Sequence, residues 1–159
     1  MIKATLLSLG RLKEKYLRDA ADEYIKRLSR FCDLNIIELE PQRLPERPAD
    51  ALVSTALELE ADALLKRIPD NAFTVALCVE GKPMSSEKFA QKIGELSALG
   101  KPMVFVIGSS YGLSARVKQR ADMRLSVSEM TFPHQLFRIM LLEQIYRAFQ
   151  INSGSEYHK

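Results

Sequence analysis

Apolar positions along this chain keep two alternating rhythms. Short, nearly continuous apolar runs give way to longer stretches in which apolar residues recur every three or four positions. The first run, Ala4-Thr-Leu-Leu-Ser-Leu9, stops at Gly10. From 13 to 30, Leu17, Ala20, Ala21, Tyr24 and Leu28 stand at helical spacing and predict an amphipathic helix. Leu34 to Leu39 reads as a second strand, ended by Pro41. Residues 50–67 return to helix, with Leu52, Ala56, Leu59 and Ala63 as the inner stripe. The run 72–79 is a third strand, leading into Glu80-Gly81-Lys82-Pro83. Ser85 or Ser86 caps the helix that follows, and Gly100 closes it as the residue just past the end. A strand over 102–107, a glycine-containing loop, a helix over 114–121, a strand over 123–128 and a long helix over 133–151 complete the pattern.

Strands apolar on both faces and separated by helices imply an α/β fold, a mostly parallel sheet covered by helices on both faces. With 159 residues and no repeat or linker, residues 1–159 read as a single domain. The stretch 41–49, with Pro41, Pro45 and Pro48, is neither a regular helix nor an inner strand. A loop of that length is a candidate for function. The final helix carries Leu136, Phe137, Ile139, Met140, Leu141, Leu142, Ile145, Tyr146, Ala148 and Phe149 around most of its circumference. A surface helix of a monomer shows one apolar stripe. Sheet packing covers one side, and a second subunit is the economical cover for the other, so a homodimer is expected.

Composition narrows the class further. Hydrophobic content of 47% with 27% charged residues suits a soluble globular protein. No run reaches the roughly 20 apolar residues of a membrane span. The N-terminus reads as a first strand rather than a signal peptide, so no membrane association and a cytoplasmic location are expected. Cys32 and Cys78 each lie among apolar residues and read as buried thiols. With only His134 and His158 beside them, a zinc site is rejected and no metal is expected. The net charge of +3 is modest, but residues 101–159 hold 8 basic against 4 acidic side chains. A second basic cluster lies in Arg11, Lys13, Lys15 and Arg18. That asymmetry fits a polyanionic partner and equally a solvated basic face.

The last third carries the candidate chemistry. Val104-Phe-Val-Ile-Gly108-Ser-Ser-Tyr-Gly112-Leu is a buried strand running into a tight loop. It lacks the Lys-Ser/Thr of a phosphate loop and the spacing of a dinucleotide fingerprint. It offers close backbone approach at Gly108 and a position for positive φ at Gly112. Leu125-Ser-Val-Ser-Glu-Met-Thr-Phe-Pro133-His134 is a strand running into a helix start, with Thr131 available as a cap and Pro133 suited to the first turn. Strand ends with tight loops are where α/β proteins bind small ligands. His134 in the first helical turn reads as a cap or core-edge residue rather than a catalyst. No Gly-x-Ser-x-Gly motif supports acyl hydrolysis. The terminus, Glu156-Tyr157-His158-Lys159, combines a stacking ring, a titratable base and a cation. Such a set is able to hold a nucleobase and move a proton.

Together these segments, with Glu143-Gln-Ile-Tyr-Arg147-Ala, the Ser-Leu-Gly10 strand end and the Glu80-Gly81-Lys82 turn, resemble the RlmH family. These are small SPOUT-class methyltransferases of large-subunit ribosomal RNA. The resemblance spans the whole chain and implies a trefoil-knotted C-terminal half and a homodimer whose pocket is shared between subunits. It implies S-adenosyl-L-methionine as methyl donor and, as substrate, ring nitrogen N3 of a pseudouridine in the ribosomal RNA of the assembled ribosome. By position, Leu77, Gly108, Val127, Ser128, Glu129, Met130, Thr131 and Phe132 would hold the donor. His158, Tyr157 and Arg147 would serve target recognition and catalysis, with His158 as base or as the residue that positions a water, Arg147 on a developing oxyanion and Tyr157 stacking on the target. The family usually carries a second glycine after Gly108, where this chain has Ser109, and often an arginine where it has Lys159. The alternatives are a SPOUT enzyme of transfer RNA, a non-catalytic ribosome-binding module, and a flavodoxin-like nucleotide enzyme.

Overall fold

A computed structural model describes all 159 residues. The elements run in the order β1 (Ile2–Leu9), α1 (Lys15–Leu28), β2 (Cys32–Leu39), α2 (Asp50–Leu65), β3 (Phe73–Pro83), α3 (Ser86–Ala98), β4 (Met103–Ile107), α4 (Ala115–Arg120), β5 (Met123–Ser126) and α5 (His134–Asn152). They form one five-stranded sheet in the order β2-β1-β4-β3-β5. Every strand pair is parallel, as the two-sided apolar runs require. The Pro-rich stretch 41–49 forms no regular element.

Side chains of each strand alternate between two cores. On one face Leu6, Val75, Leu77, Met103, Phe105 and Ile107 pack under α1, α3 and α5. On the other, Leu7, Leu9, Ala76, Val104 and Val106 pack under α2 and α4. The helix ends follow the sequence signals. Ser85 caps α3, its hydroxyl accepting from the Lys88 N–H, and Gly100 follows with φ +64°.

Three expectations need correction. The stripe assigned to α2 is rotated: Ala56, Ala61 and Leu64 are buried while Leu52 and Leu59 are about half exposed. The displaced inner position is taken by Glu60, a charged residue that periodicity alone excludes from a core. At the start of α5, the capping position is Pro133 and no side chain caps the helix, so Thr131 is not its cap. The many apolar faces of α5 are largely covered within one chain, since α1 and α3 both pack against it. Leu136 remains exposed and Met140 half-buried. No helix is long and apolar enough to cross a membrane.

Candidate functional site

The C-terminal ends of β3, β4 and β5 surround a cavity of about 780 Å³, within the range of small-molecule sites. Local backbone features open it. β3 pairs with β5 through Leu77, leaves the ladder, and rejoins it at Lys82. The excursion pushes Cys78, Val79 and Glu80 to the cavity wall. Gly81 makes the return possible, because a Cβ there would lie 2.6 Å from the Leu125 carbonyl carbon. From β4 the chain enters a tight turn in which the Gly112 N–H donates to the Ser109 carbonyl, 2.9 Å. Gly112 has φ +87°, as its position predicts. Gly108 is also required inside the protein itself. A Cβ on it would stand 2.3 Å from the Gly112 carbonyl oxygen, so its bareness closes the turn on itself. Beyond β5, the Ser126 hydroxyl donates to the Ser128 carbonyl and the Met130 N–H donates to the Ser128 hydroxyl, at 3.0 and 2.9 Å.

Of the residues assigned to donor binding, Leu77, Gly108, Val127, Ser128, Met130, Thr131 and Phe132 line this cavity, and Glu129 does not. Sequence reasoning missed Glu80, Lys118 and His134 among the polar side chains of the wall. Lys118 and Glu80 form an ion pair, and the Lys118 hydrogen bond holds the Glu80 carboxyl below its usual range. Burial, reinforced by the Arg138 and Lys13 cations, keeps the His134 imidazole easier to deprotonate than usual. Burial also pushes the Cys78 thiol up. The signal for Glu80 was present in the Glu80-Gly81-Lys82 turn; Lys118, inside a short helix, gave none. No cluster of His, Cys, Asp or Glu side chains is arranged to hold a metal ion.

Arg147, Tyr157 and His158 come together, but they line neither this cavity nor its neighbour. The Arg147 guanidinium donates twice to Glu143 Oε1, at 3.0 and 2.7 Å, and lies 4.9 Å from the Tyr157 ring centroid. The Tyr157 hydroxyl donates to the same carboxylate oxygen, 3.1 Å. His158 Nδ1 sits 3.0 Å from Arg147 Nη1, and its Nε2 sits 2.8 Å from Glu87 Oε1. A guanidinium only donates and a carboxylate only accepts. The neutral imidazole carrying its proton on Nε2 satisfies both contacts, which leaves Nδ1 as the basic nitrogen. A smaller cavity of about 280 Å³ lies between the two regions. It shares Leu125, Ser126 and Val127 with the larger one and reaches Glu143.

The basic N-terminal cluster lies near the start of α5, where the Lys13 N–H donates to Gln135 Oε1. Arg18 is spent on the Leu12 and Lys13 carbonyls, Lys15 on Asp19, and Arg11 on Glu40. The buried Arg138 of α5, another residue the sequence pattern did not single out, bridges Glu38 at 2.6 Å and the Gly10 carbonyl at 2.9 Å.

Comparison with known proteins converges on one family. A family model described as "Predicted SPOUT methyltransferase" matches residues 2–158. A protein of Bifidobacterium adolescentis named "Ribosomal RNA large subunit methyltransferase H" is 48% identical over 159 residues, covering 99% of this chain and 100% of the relative. A protein of the same name from Clostridium kluyveri is 49% identical over 156 residues, 98% of each chain. A "Putative ribosomal RNA large subunit methyltransferase H" of Methanococcus maripaludis is 49% identical over the same length and coverage. The parallel sheet, the cavity at its strand ends and these matches together place the chain in the RlmH family of SPOUT methyltransferases.

Proposed function

We propose that this protein uses S-adenosylmethionine to methylate ring nitrogen N3 of a pseudouridine in large-subunit ribosomal RNA, as a homodimer acting on the assembled ribosome in the cytoplasm. The observation that carries this reading is the preformed cavity at the ends of β3, β4 and β5 in a chain of this family. Knotted threading of the C-terminal half belongs to the same reading.

The lining suits the donor. Leu77, Ile107, Leu113 and Leu125 give an apolar floor for a purine, while the turn at 108–112 and the braced segment 126–132 bring backbone groups to its edge. The Glu80–Lys118 pair offers one charge of each sign to a zwitterionic amino-acid end. Leu77, Gly108, Val127, Ser128, Met130, Thr131 and Phe132 would hold the molecule; Glu129, assigned with them by position, does not line the cavity of one subunit. S-adenosylmethionine, when bound, supplies an electrophilic methyl group on a sulfonium.

The protein's part is to position and deprotonate the acceptor. The imide N3–H of the base must lose its proton to become nucleophilic. His158 is the base, through Nδ1, once that nitrogen leaves Arg147. Arg147, so released, faces the oxygen on which negative charge develops. Tyr157 stacks on the target. Because these three groups lie outside the cavity of their own subunit, the tail that serves each cavity comes from a second copy. Val127 and Met130, exposed where they line the cavity, and Leu136, exposed on α5, are the apolar surface that copy would cover. Lys13 and the loop 41–49 face RNA phosphates, which makes activity fall steeply with salt.

The test is transfer of labelled methyl from S-adenosylmethionine to assembled ribosomes from cells lacking this enzyme, beside free ribosomal RNA and transfer RNA. Label in large-subunit RNA from assembled ribosomes alone is the expected result. Label in transfer RNA, or none from folded dimer, overturns it.

A further inference from the structure

The most unusual side chain outside the chemistry already assigned is Glu60. It lies on α2, it is 4% exposed, and no cation pairs with it. A carboxylate removed from water without a counter-charge is costly unless hydrogen bonds replace the lost hydration. Glu60 has two, and both come from distant parts of the chain. Its Oε1 accepts from the Ser109 hydroxyl at 3.2 Å, and its Oε2 accepts from the Gln42 backbone N–H at 2.9 Å. Ser109 begins the tight turn that walls the cavity, and Gln42 opens the Pro-rich stretch that otherwise forms no regular structure.

The neighbouring acids of α2 strengthen the pattern. Glu58 accepts from the Ser114 hydroxyl at 2.7 Å, and Arg116 bridges Glu58 and Asp62 at 3.0 and 2.8 Å. Glu58 and Asp62 are exposed and hold the far end of the segment 109–116. Glu60 is the buried one and holds its near end, where the turn meets the cavity. A bare turn of this kind has little of its own to fix it: Gly108 and Gly112 contribute no side chain, and Tyr111 is about half exposed.

We propose that Glu60 is a positioning residue for the ligand turn 108–112, fastening it through Ser109 and coupling it through Gln42 to the segment 41–49. The proposal rests on the reading of the cavity as the methyl-donor site. It makes donor affinity depend on a carboxylate that touches no ligand. It also makes any partner that moves residues 41–49 alter donor affinity.

Binding of S-adenosylhomocysteine to the full-length dimer, measured by calorimetry, tests it. Ser109→Ala removes one hydrogen bond to a buried carboxylate, worth about 1.5 kcal/mol or more, and is expected to weaken binding by roughly tenfold or more. Gln42→Pro removes the N–H together with the glutamine side chain and fixes φ at 42, and is expected to weaken binding several-fold. Glu60→Gln keeps both contacts, because its amide oxygen accepts from Gln42 and its NH₂ donates to a reoriented Ser109 hydroxyl. It is therefore expected to stay within about twofold of the parent. In turnover assays, Ser109→Ala is expected to raise the KM for donor by more than it lowers kcat. If Ser109→Ala and Gln42→Pro, with unchanged unfolding midpoints, bind as tightly as the parent, Glu60 is a structural residue and the proposal is overturned while the donor reading stands. If the parent itself fails to bind the probe, the donor reading falls and takes the proposal with it.

Discussion

The cavity at the strand ends and the C-terminal tail are built in opposite ways. The cavity is a property of the backbone: three strand ends, one bulge and a glycine turn shape it before any ligand arrives. The tail is a property of side chains. Arg147, Tyr157 and His158 converge on the carboxylates of Glu143 and Glu87, and every polar group among them is satisfied locally. A cavity that is already open has little reorganisation to do on binding. A tail whose base is occupied by a guanidinium has to exchange those contacts before it can act. On the proposed function, binding and chemistry are thus separated in one subunit, and substitutions in one region should leave the other's readout intact.

The largest effect expected from that separation lies in the tail. His158→Ala removes the proposed base and should slow single-turnover methylation by about 10²- to 10⁴-fold. S-adenosylhomocysteine affinity should be unchanged, because His158 lines neither cavity of its own subunit and in the proposed dimer it meets the target base rather than the donor. An unchanged single-turnover rate with donor binding intact removes His158 from the role of base. A parallel loss of donor affinity would show that the two regions are not separate at all.

Arg138→Ala probes the joint between them. Arg138 is 3% exposed and ties the first turns of α5 to the ends of β1 and β2 through Gly10 and Glu38. Breaking a buried pair costs about 3–5 kcal/mol. The Glu38 side chain is 35% exposed and can recover some hydration, so about 2–3 kcal/mol is expected. The urea midpoint should fall by that amount at fixed protein concentration, with an unchanged m-value. A shift under about 0.5 kcal/mol, the range of ordinary surface substitutions, would mean that the bridge is not formed in solution.

What the sequence disclosed divides along the same line. The strands and helices were legible because burial on two faces imposes unbroken apolar runs, and helices imposed their own period. The cavity was half legible: glycines and strand ends announced where it lies, but the closeness of Gly108 to the Gly112 carbonyl is a three-dimensional fact without a pattern. Glu60, Arg138 and Lys118 were illegible for a common reason. Each is a charged residue in a helix, and a charge on a helix reads as solvent-facing unless its partner is known. Their partners lie 49, 100 and 38 residues away in sequence. The stripe drawn through Leu52 and Leu59 failed for the matching reason, since the helix turns Glu60 inward in their place.

Gly108→Ala is the cavity's counterpart to the histidine substitution. The new methyl would meet fixed backbone at 2.3 Å, so the turn has to open at a cost of about 1–3 kcal/mol. Donor affinity should fall by about tenfold or more, whereas the titration of Tyr157 should not move. Retention of full affinity would mean that the turn is looser than its hydrogen bond implies, and that the cavity is no more preformed than the tail.

The smallest effect tests whether the tail is seated in solution. Burial, and then the hydrogen bond to Glu143, push the Tyr157 phenol up to about 12. Its folded value therefore lies above the ordinary phenol value of about 10. The unfolded chain gives up this proton first, so the contribution to stability is complete below about pH 10 and is lost as the pH rises toward the folded value. An ultraviolet titration of phenolate formation should therefore show a late step near pH 12, and Tyr157→Phe should delete it. The Glu143→Gln substitution, which keeps an acceptor but removes the charge, should move it to lower pH. If the late step is missing in the unmodified protein, the tail does not rest on Glu143 in solution. Only the contacts of His158 with Arg147 and Glu87 would then have to break before the tail could enter a neighbouring cavity.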